Sequence, residues 1–201
     1  MKILSIDTAS NLCTVAVLEN KKCIKEIIVN DARNHSEKIM PVIEQALSES
    51  KLTLQDINLI VCDKGPGSFT GIRIGVGTVL AFKDSLNIPC VGISSLESLA
   101  YNIASDGIIC SLIDAKNNNV YFGVFEKKNN IVTQLEELNF KTIEEIIPIL
   151  TKYDKINFVG DGSIIHKEHL LSNLNTCTFS DKNDLSSFSL GLAGLNAYNQ
   201  N

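Results

Sequence analysis

The same arrangement of three predicted strands occurs twice in this chain of 201 residues. Short apolar runs separated by polar turns predict strands over residues 2–6, 13–18 and 24–29, and a second set begins just after the middle of the chain. The first strand of each set ends in an aspartate, Asp7 in one and Asp114 in the other. A repeat of this length indicates a duplicated domain rather than a solenoid of short units.

Helical sequence follows each set of strands. Asn34 with Glu37, and Thr142 with Glu145, predict capping boxes at the start of two helices whose apolar residues recur at helical spacing. We therefore predict an α/β protein of duplicated βββαβα lobes, with the second lobe reduced. The lobes are expected over residues 1–105 and 106–201. A hydrophobic content of 44% is enough for two cores.

The segment 65–77 contains five of the chain's 12 glycines and joins a buried strand at 59–62 to a helix. Gly71, Gly75 and Gly77 fall inside that helix, where each costs about 0.5–1 kcal/mol relative to alanine. Such a cost indicates that something approaches the helix too closely for a side chain.

Three interpretations of the glycine helix compete. Backbone N–H groups at its start could bind phosphate, but the segment lacks the lysine and spacing of a P-loop. The glycines could instead let the helix pack closely on its own sheet. The interpretation that we favour is contact with a helix of another chain, because Gly71 and Gly75 are four residues apart and share one face.

Charge and cysteine content limit the function classes. A net charge of −5 argues against this chain alone forming the main contact with a nucleic acid, which needs clustered lysine and arginine. The six cysteines contain no Cys-x-x-Cys pair, which is typical of reduced, buried thiols in a cytosol. The absence of a signal peptide or a long apolar run predicts a cytoplasmic protein without a membrane contact.

The duplicated unit resembles the actin-like ATPase (ASKHA, ribonuclease H-like) superfamily. Within it, the run Gly-Pro-Gly-Ser-Phe-Thr-Gly-Ile-Arg-Ile-Gly at 65–75 resembles the signature of the TsaB (YeaZ) family. Further matches to that family are His-Ser-Glu at 35–37, Ser-Ser-Leu at 94–96 and Asp-Ala at 114–115. The resemblance is good over residues 1 to about 125 and weaker beyond.

This resemblance implies a non-catalytic subunit of the complex that attaches threonylcarbamoyl to N6 of adenosine 37 in tRNA. The expected partners are the transferase TsaD, which helices over residues 36–50 and 70–86 would dock, and the ATPase TsaE. A homodimer through the same surface is expected when the chain is alone, and tRNA contact only indirectly through the complex. The residues expected at the partner interface are Ile39, Ile43, Ala46, Gly71, Ile72, Arg73, Gly75, Val76 and Val79.

Actin-like ATPases bind phosphates on Asp-x-Gly loops, whereas the corresponding loops here read Asp-Thr-Ala-Ser and Asp-Ala-Lys-Asn. We therefore expect no enzyme activity from the isolated chain, no catalytic residue, no metal site and no intrinsic cofactor. ATP or ADP with Mg²⁺ is expected only within the complex. The residues that could contact a nucleotide are Asp7, Thr8, Ser10 and Asp114. The simpler interpretation of the two aspartates is that they bond local backbone N–H groups in turns.

Three other functions stay open at this point. The first is an ASKHA-type ATP-dependent phosphotransferase, and the second is a metallopeptidase-like protein. The sequence contains no His-x-x-x-His pair, which argues against the second. The third is a homodimeric binding module without a transferase partner.

Overall fold

The chain is described by a computed structural model that covers residues 1–31 and 34–200. It divides into two compact units, one formed by Met1–Ser98 with Leu185–Asn201 and the other by Leu99–Asp184. Each unit contains one mixed sheet with its own hydrophobic core. In the described part of the chain, no helix has both the length and the apolar character needed to cross a bilayer.

The first unit is built on a five-stranded sheet of order β3-β2-β1-β4-β5. Its strands are β1 (Lys2–Asp7), β2 (Leu12–Glu19), β3 (Lys22–Asn30), β4 (Leu59–Asp63) and β5 (Cys90–Ile93). Its helices are α1 (His35–Glu49), α2 (Phe69–Leu86), the first part of α3 (Ser95–Ala100), a short 3₁₀ turn (Leu54–Asp56) and the final helix, named below. The first three strands are antiparallel, and β1, β4 and β5 run parallel.

Helices cover both faces of the central strands of this sheet. On one face, Ile43 of α1 and Val79 of α2 join Ile6 and Ile60 in a buried cluster. The last helix, α7 (Ser187–Gln200), packs on the other face. A strand covered on both sides is apolar throughout rather than alternating. For this reason the first four residues of β4, 59–62, are all apolar and buried.

The position of α7 corrects the predicted division at residue 105. We expected the segment 106–201 to form the second lobe, but α7 belongs to the first unit. The Ser187 hydroxyl donates a hydrogen bond of 2.7 Å to the Thr14 carbonyl of β2. A Cβ atom at Gly194 would lie 2.3 Å from Val61 Cγ2, so the helix lies directly on β4. The chain therefore returns to its first sheet after completing the second.

The second unit repeats the design with a shorter third strand and shorter helices. Its strands are β6 (Gly107–Asp114), β7 (Asn119–Lys128), β8 (Ile131–Gln134), β9 (Asn139–Thr142), β10 (Ile156–Val159) and β11 (Cys177–Phe179). Its helices are α4 (Ile143–Leu150), α5 (Asp161–Ile165) and α6 (Lys167–Asn173). The sheet order is β11-β10-β6-β7-β8, with β9 also paired to β7. The three-strand motif followed by helix and parallel strand is thus present twice, and the duplication predicted from the sequence is confirmed.

Candidate functional site

The amino-terminal end of α2 packs against the turn between β1 and β2, residues 8–11. The Ser68 N–H donates a hydrogen bond of 2.6 Å to the Ala9 carbonyl. The Thr8 hydroxyl donates one of 2.7 Å to the Gly71 carbonyl. A Cβ atom at Gly71 would lie only 1.9 Å from the Thr8 carbonyl oxygen. No side chain fits at position 71 unless the turn moves.

Gly67 and Gly75 face the same turn. A Cβ atom at Gly67 would lie 2.3 Å from the Ala9 carbonyl oxygen, and one at Gly75 would lie 2.6 Å from Thr8 Oγ1. The glycines therefore allow α2 to approach its own sheet, which is the second of the three interpretations. This corrects the geometry that we expected, because the face shared by Gly71 and Gly75 is filled by the chain's own β1–β2 turn.

Most of the other predicted interface residues also face inward. Ile39, Ile43, Ala46 and Val79 are buried in the core of the first unit. These apolar residues recur at helical spacing because they lie on the side of each helix that packs on the sheet. Ile72 and Val76 are half-buried, and Arg73 is exposed. Of the nine predicted positions, only these last three present surface to a partner.

A row of exposed residues lies on α2, and of its four members only Arg73 was predicted. It consists of Phe69, Arg73, Gly77 and Leu80, which we call the outer stripe. Phe69 is 69% exposed, Leu80 is 49% exposed, and the Arg73 guanidinium carbon lies 3.7 Å from the centre of the Phe69 ring. A Cβ atom at Gly77 would meet no atom within 4 Å. The spacing of four, four and three residues was the signal in the sequence that could have identified this face.

The outer stripe has the features of a surface for a second helix. Large exposed apolar side chains that lie together mark interaction sites, and a glycine between them permits close approach of two helix axes. Met40, on the neighbouring helix α1, is also exposed and apolar. The open glycine of this helix is therefore Gly77, whereas Gly71 and Gly75 serve internal packing.

The predicted nucleotide contacts in the first unit have internal partners. Asp7 and Thr8 are only 1% and 2% exposed. Asp7 Oδ1 accepts a 2.8 Å hydrogen bond from the Ala9 N–H, and Ser10 Oγ accepts one of 3.1 Å from the Leu12 N–H. This is the arrangement of turn residues that bond local backbone. In this conformation Asp7 and Thr8 offer almost no accessible surface to a ligand.

A second buried carboxyl group, Asp63, lies beside Asp7. The two residues end the parallel strands β4 and β1, whose preceding residues Cys62 and Ile6 are paired. Asp63 Oδ1 accepts hydrogen bonds of 2.6 Å from both the Gly65 N–H and the Ser95 hydroxyl. Sequence reasoning missed Asp63, although it ends an apolar strand just as Asp7 does.

Burial changes the acidity of this pair. Burial, followed by the negative charge of Asp63, raises the pKa of Asp7 well above its ordinary value. Burial also raises the pKa of Asp63 to about 6. Within residues 1–31 and 34–200, no three His, Cys, Asp or Glu side chains are grouped so that they could hold a metal ion.

In the second unit, Asp114 forms an ion pair with a neighbouring lysine. The Lys116 ammonium nitrogen lies 2.5 Å from Asp114 Oδ2. Partial burial opposes ionisation of Asp114, but hydrogen bonds from the side chain and backbone of Lys116 outweigh it and hold its pKa below the ordinary value. The Asp114 N–H donates a 3.0 Å hydrogen bond to Asp161 Oδ1. Asp114 is therefore an ion-paired turn residue in this structure.

Solved structures show the fold to which this architecture belongs. YeaZ from Pseudomonas aeruginosa superimposes with a TM-score of 0.83 at 24% identity, over 99% of this chain and 92% of that chain. The ROK hexokinase from Thermus thermophilus superimposes with a TM-score of 0.59 at 12% identity, over 100% and 99% of the two chains. The fold is that of the actin-like ATPases, as the sequence predicted.

Sequence comparison then identifies the family. A family model described as TsaD, tRNA N6-adenosine threonylcarbamoyltransferase, matches residues 22–188. The tRNA threonylcarbamoyladenosine biosynthesis protein TsaB of Bacillus subtilis (strain 168) is 35% identical to this chain, over 89% of this chain and 79% of that protein. The chain belongs to the TsaB (YeaZ) family.

Proposed function

We propose that this chain is a non-catalytic subunit in the synthesis of threonylcarbamoyladenosine in tRNA, and that it docks and activates a TsaD-type transferase through the outer stripe. The observation that supports the docking surface most strongly is Gly77, whose Cβ position is open to solvent between exposed Leu80 and Arg73. The name of the related B. subtilis protein supports the pathway.

The docking would bury apolar surface where two helices cross at Gly77. A glycine at the crossing point lets the axes approach closely, so that Phe69 and Leu80 contact the partner helix. Each Å² of apolar surface removed from water contributes roughly 25 cal/mol. Arg73, held over the Phe69 ring, would be available to pair with a partner carboxylate.

Two features of the turns support a role without catalysis by this chain. Asp7 and Thr8 are buried with internal hydrogen bonds, and Asp114 is paired with Lys116. We therefore propose that the isolated chain has no cofactor, and that ATP or ADP with Mg²⁺ binds only in the assembled complex. A TsaE-type ATPase would join that complex after the transferase has docked.

The same surface would serve the chain in the absence of the transferase. An exposed apolar stripe is expected to pair with a second copy, so the homodimer and the complex would compete for it. With a net charge of −5, this chain would contact tRNA only through its partners. Because the proposed role is in tRNA modification, we propose the cytoplasm as the site of action.

A pair of leucine substitutions tests the proposed surface. Gly77→Leu adds a large side chain at the proposed crossing point, and we expect its affinity for a purified TsaD-type subunit to fall at least tenfold. Ser85→Leu adds the same side chain to an exposed position of α2 that lies a third of a turn or more from Phe69, Arg73 and Leu80, and is expected to bind normally.

Neither variant should unfold the protein, because both positions are exposed. Circular dichroism of each variant checks this before calorimetric titration with the transferase. Undiminished binding by Gly77→Leu would show that the partner docks elsewhere.

A further inference from the structure

The carboxyl groups of Asp7 and Asp63 form a buried pair that the proposed function does not use. Both side chains are almost completely buried, and they lie within hydrogen-bonding reach of one another. Neither Oδ2 atom accepts a hydrogen bond from any donor group in the described residues. Two neighbouring buried carboxyl groups that each have an oxygen without a donor are costly to keep as two anions, so a proton or another positive species is needed.

The hydrogen bonds on the other oxygens show which carboxyl is better suited to be the anion. Asp63 Oδ1 accepts from both the Gly65 N–H and the Ser95 hydroxyl, whereas Asp7 Oδ1 accepts only from the Ala9 N–H. Hydrogen bonds to the charged form stabilise it. The ionised form of Asp63 is thus stabilised by more hydrogen bonds than that of Asp7, and Asp7 is the better candidate to carry a proton.

The groups around the pair supply no compensating positive charge. The titratable or charged side chains near the pair or its immediate neighbours are Cys13 on β2, Glu26 on β3, Cys62 on β4, Lys64 after β4 and Glu97 on α3. A further one is the buried His35 at the start of α1, whose Nε2 lies 2.9 Å from the Ser10 carbonyl oxygen of the β1–β2 turn. Glu26 disfavours ionisation of Asp7 further, and Lys64 is exposed and acts on Cys62 and Glu97 instead. No basic side chain is among the groups that shift either carboxyl.

We propose that Asp7 and Asp63 share one proton in the folded protein, with Asp7 as donor and Asp63 Oδ2 as acceptor. This proton joins the β1–β2 turn to the loop that begins α2. Asp7 accepts a hydrogen bond from the Ala9 N–H in the turn, and the Ala9 carbonyl in turn accepts one from the Ser68 N–H at the start of α2. Asp63 accepts a hydrogen bond from the Gly65 N–H in the loop. Loss of the proton to water leaves two adjacent buried negative charges and loosens the contact between turn and helix.

The proposal makes folding depend on pH with a definite sign. The unfolded aspartates release their protons above about pH 4, whereas the folded chain keeps one. The folding equilibrium constant therefore falls tenfold for each unit that the pH rises, until the folded Asp7 also ionises. This stability is fully present at low pH and is lost as pH increases.

Asp7→Asn is the variant that tests the shared proton. Its amide group can donate to Asp63 Oδ2 while its oxygen accepts from the Ala9 N–H, so both hydrogen bonds persist without a proton. We expect urea unfolding between about pH 7 and 8.5 to show one tenfold-per-unit component in the wild type that is absent in the variant. Asp84→Asn removes the same charge from an exposed position on α2, and is expected to keep the wild-type slope.

Infrared spectroscopy of the wild type gives an independent readout. Above pH 7 the protein should show the carbonyl band of a protonated carboxylic acid, which shifts on ¹³C-aspartate labelling and is missing from Asp7→Asn. If the variant does not fold, the presence or absence of this band in the wild type decides the question.

Three results would overturn the proposal. The first is a wild type without a protonated carboxyl band at neutral pH. The second is a folded Asp7→Asn protein with the wild-type pH slope. The third is a wild type that MgCl₂ stabilises while the band disappears, since the two oxygens would then hold a cation. All three tests use the isolated chain, so they are independent of the proposed docking.

Discussion

Replacement of Gly71 by alanine places a methyl group against the β1–β2 turn, and its effect on stability follows from the packing. The new Cβ atom would lie 1.9 Å from the Thr8 carbonyl oxygen, well inside van der Waals contact. The obstructing atom belongs to the backbone, so it cannot rotate away as a side chain would. The turn or the helix must therefore shift.

The expected cost is the balance of three effects. Overpacking of this kind costs typically 1–3 kcal/mol, and a clash with the backbone should cost about 3 kcal/mol. The shift also weakens the hydrogen bond from Thr8 to the Gly71 carbonyl, which contributes about 1 kcal/mol. Alanine recovers up to about 1 kcal/mol of helix propensity. We expect Gly71→Ala to lower the free energy of unfolding by about 3 kcal/mol.

Two matched variants in the same helix isolate the clash. Gly77→Ala meets no neighbouring atom, so it should stabilise the protein by about 0.5–1 kcal/mol through helix propensity alone. Gly75→Ala meets only the rotatable Thr8 hydroxyl at 2.6 Å and should fall between the other two. Urea unfolding followed by circular dichroism measures all three. A Gly71→Ala protein as stable as Gly77→Ala would refute the packing argument.

Two further predictions concern ionisable groups in the second unit. Lys116→Ala removes the ammonium that lowers the pKa of Asp114, so this carboxyl should titrate at higher pH in ¹³C NMR; an unchanged titration would contradict the ion pair. Cys110 is fully buried, and burial raises the pKa of its thiol. It should react with a thiol reagent only after unfolding, and rapid labelling of the native protein would count against the packing of this core.

Local chemistry allowed several elements to be predicted from the sequence. Ser68 is of a residue type favoured at helix starts, and at the start of α2 its side chain accepts a hydrogen bond from the Gly71 N–H. Asn87, which follows the last residue of α2, adopts the left-handed conformation with φ of 55°, as asparagine often does at helix ends. The capping box of Thr142 is present, with Glu145 as its partner. Each of these signals depends on residues only a few positions apart.

The capping box predicted at Asn34 is wrong. The Asn34 side chain makes no cap hydrogen bond to α1 and instead donates to both carboxylate oxygens of Asp31, at 3.1 Å each. The Asn34 side chain can bond either the start of the helix or a nearby carboxylate such as Asp31. The sequence pattern alone does not choose between these two partners.

The orientation of the glycine face depends on a distant part of the chain. The spacing of Gly71 and Gly75 shows that they share a side of the helix, but not what that side contacts. The partner is Thr8, 63 residues earlier than Gly71. Likewise, Asp63 becomes significant only when the register of β1 and β4 places it beside Asp7. Contacts of this separation arise from topology, which local spacing does not specify.

The proposed role is tested most directly by reconstituting threonylcarbamoyl transfer to tRNA from purified components. We expect the TsaD-type transferase with its donor and a TsaE-type ATPase to modify tRNA only when this chain is added. Gly77→Leu should reduce the rate to that seen without the chain, whereas Ser85→Leu should support the full rate. Full activity with Gly77→Leu, or in the absence of the chain, would contradict the account.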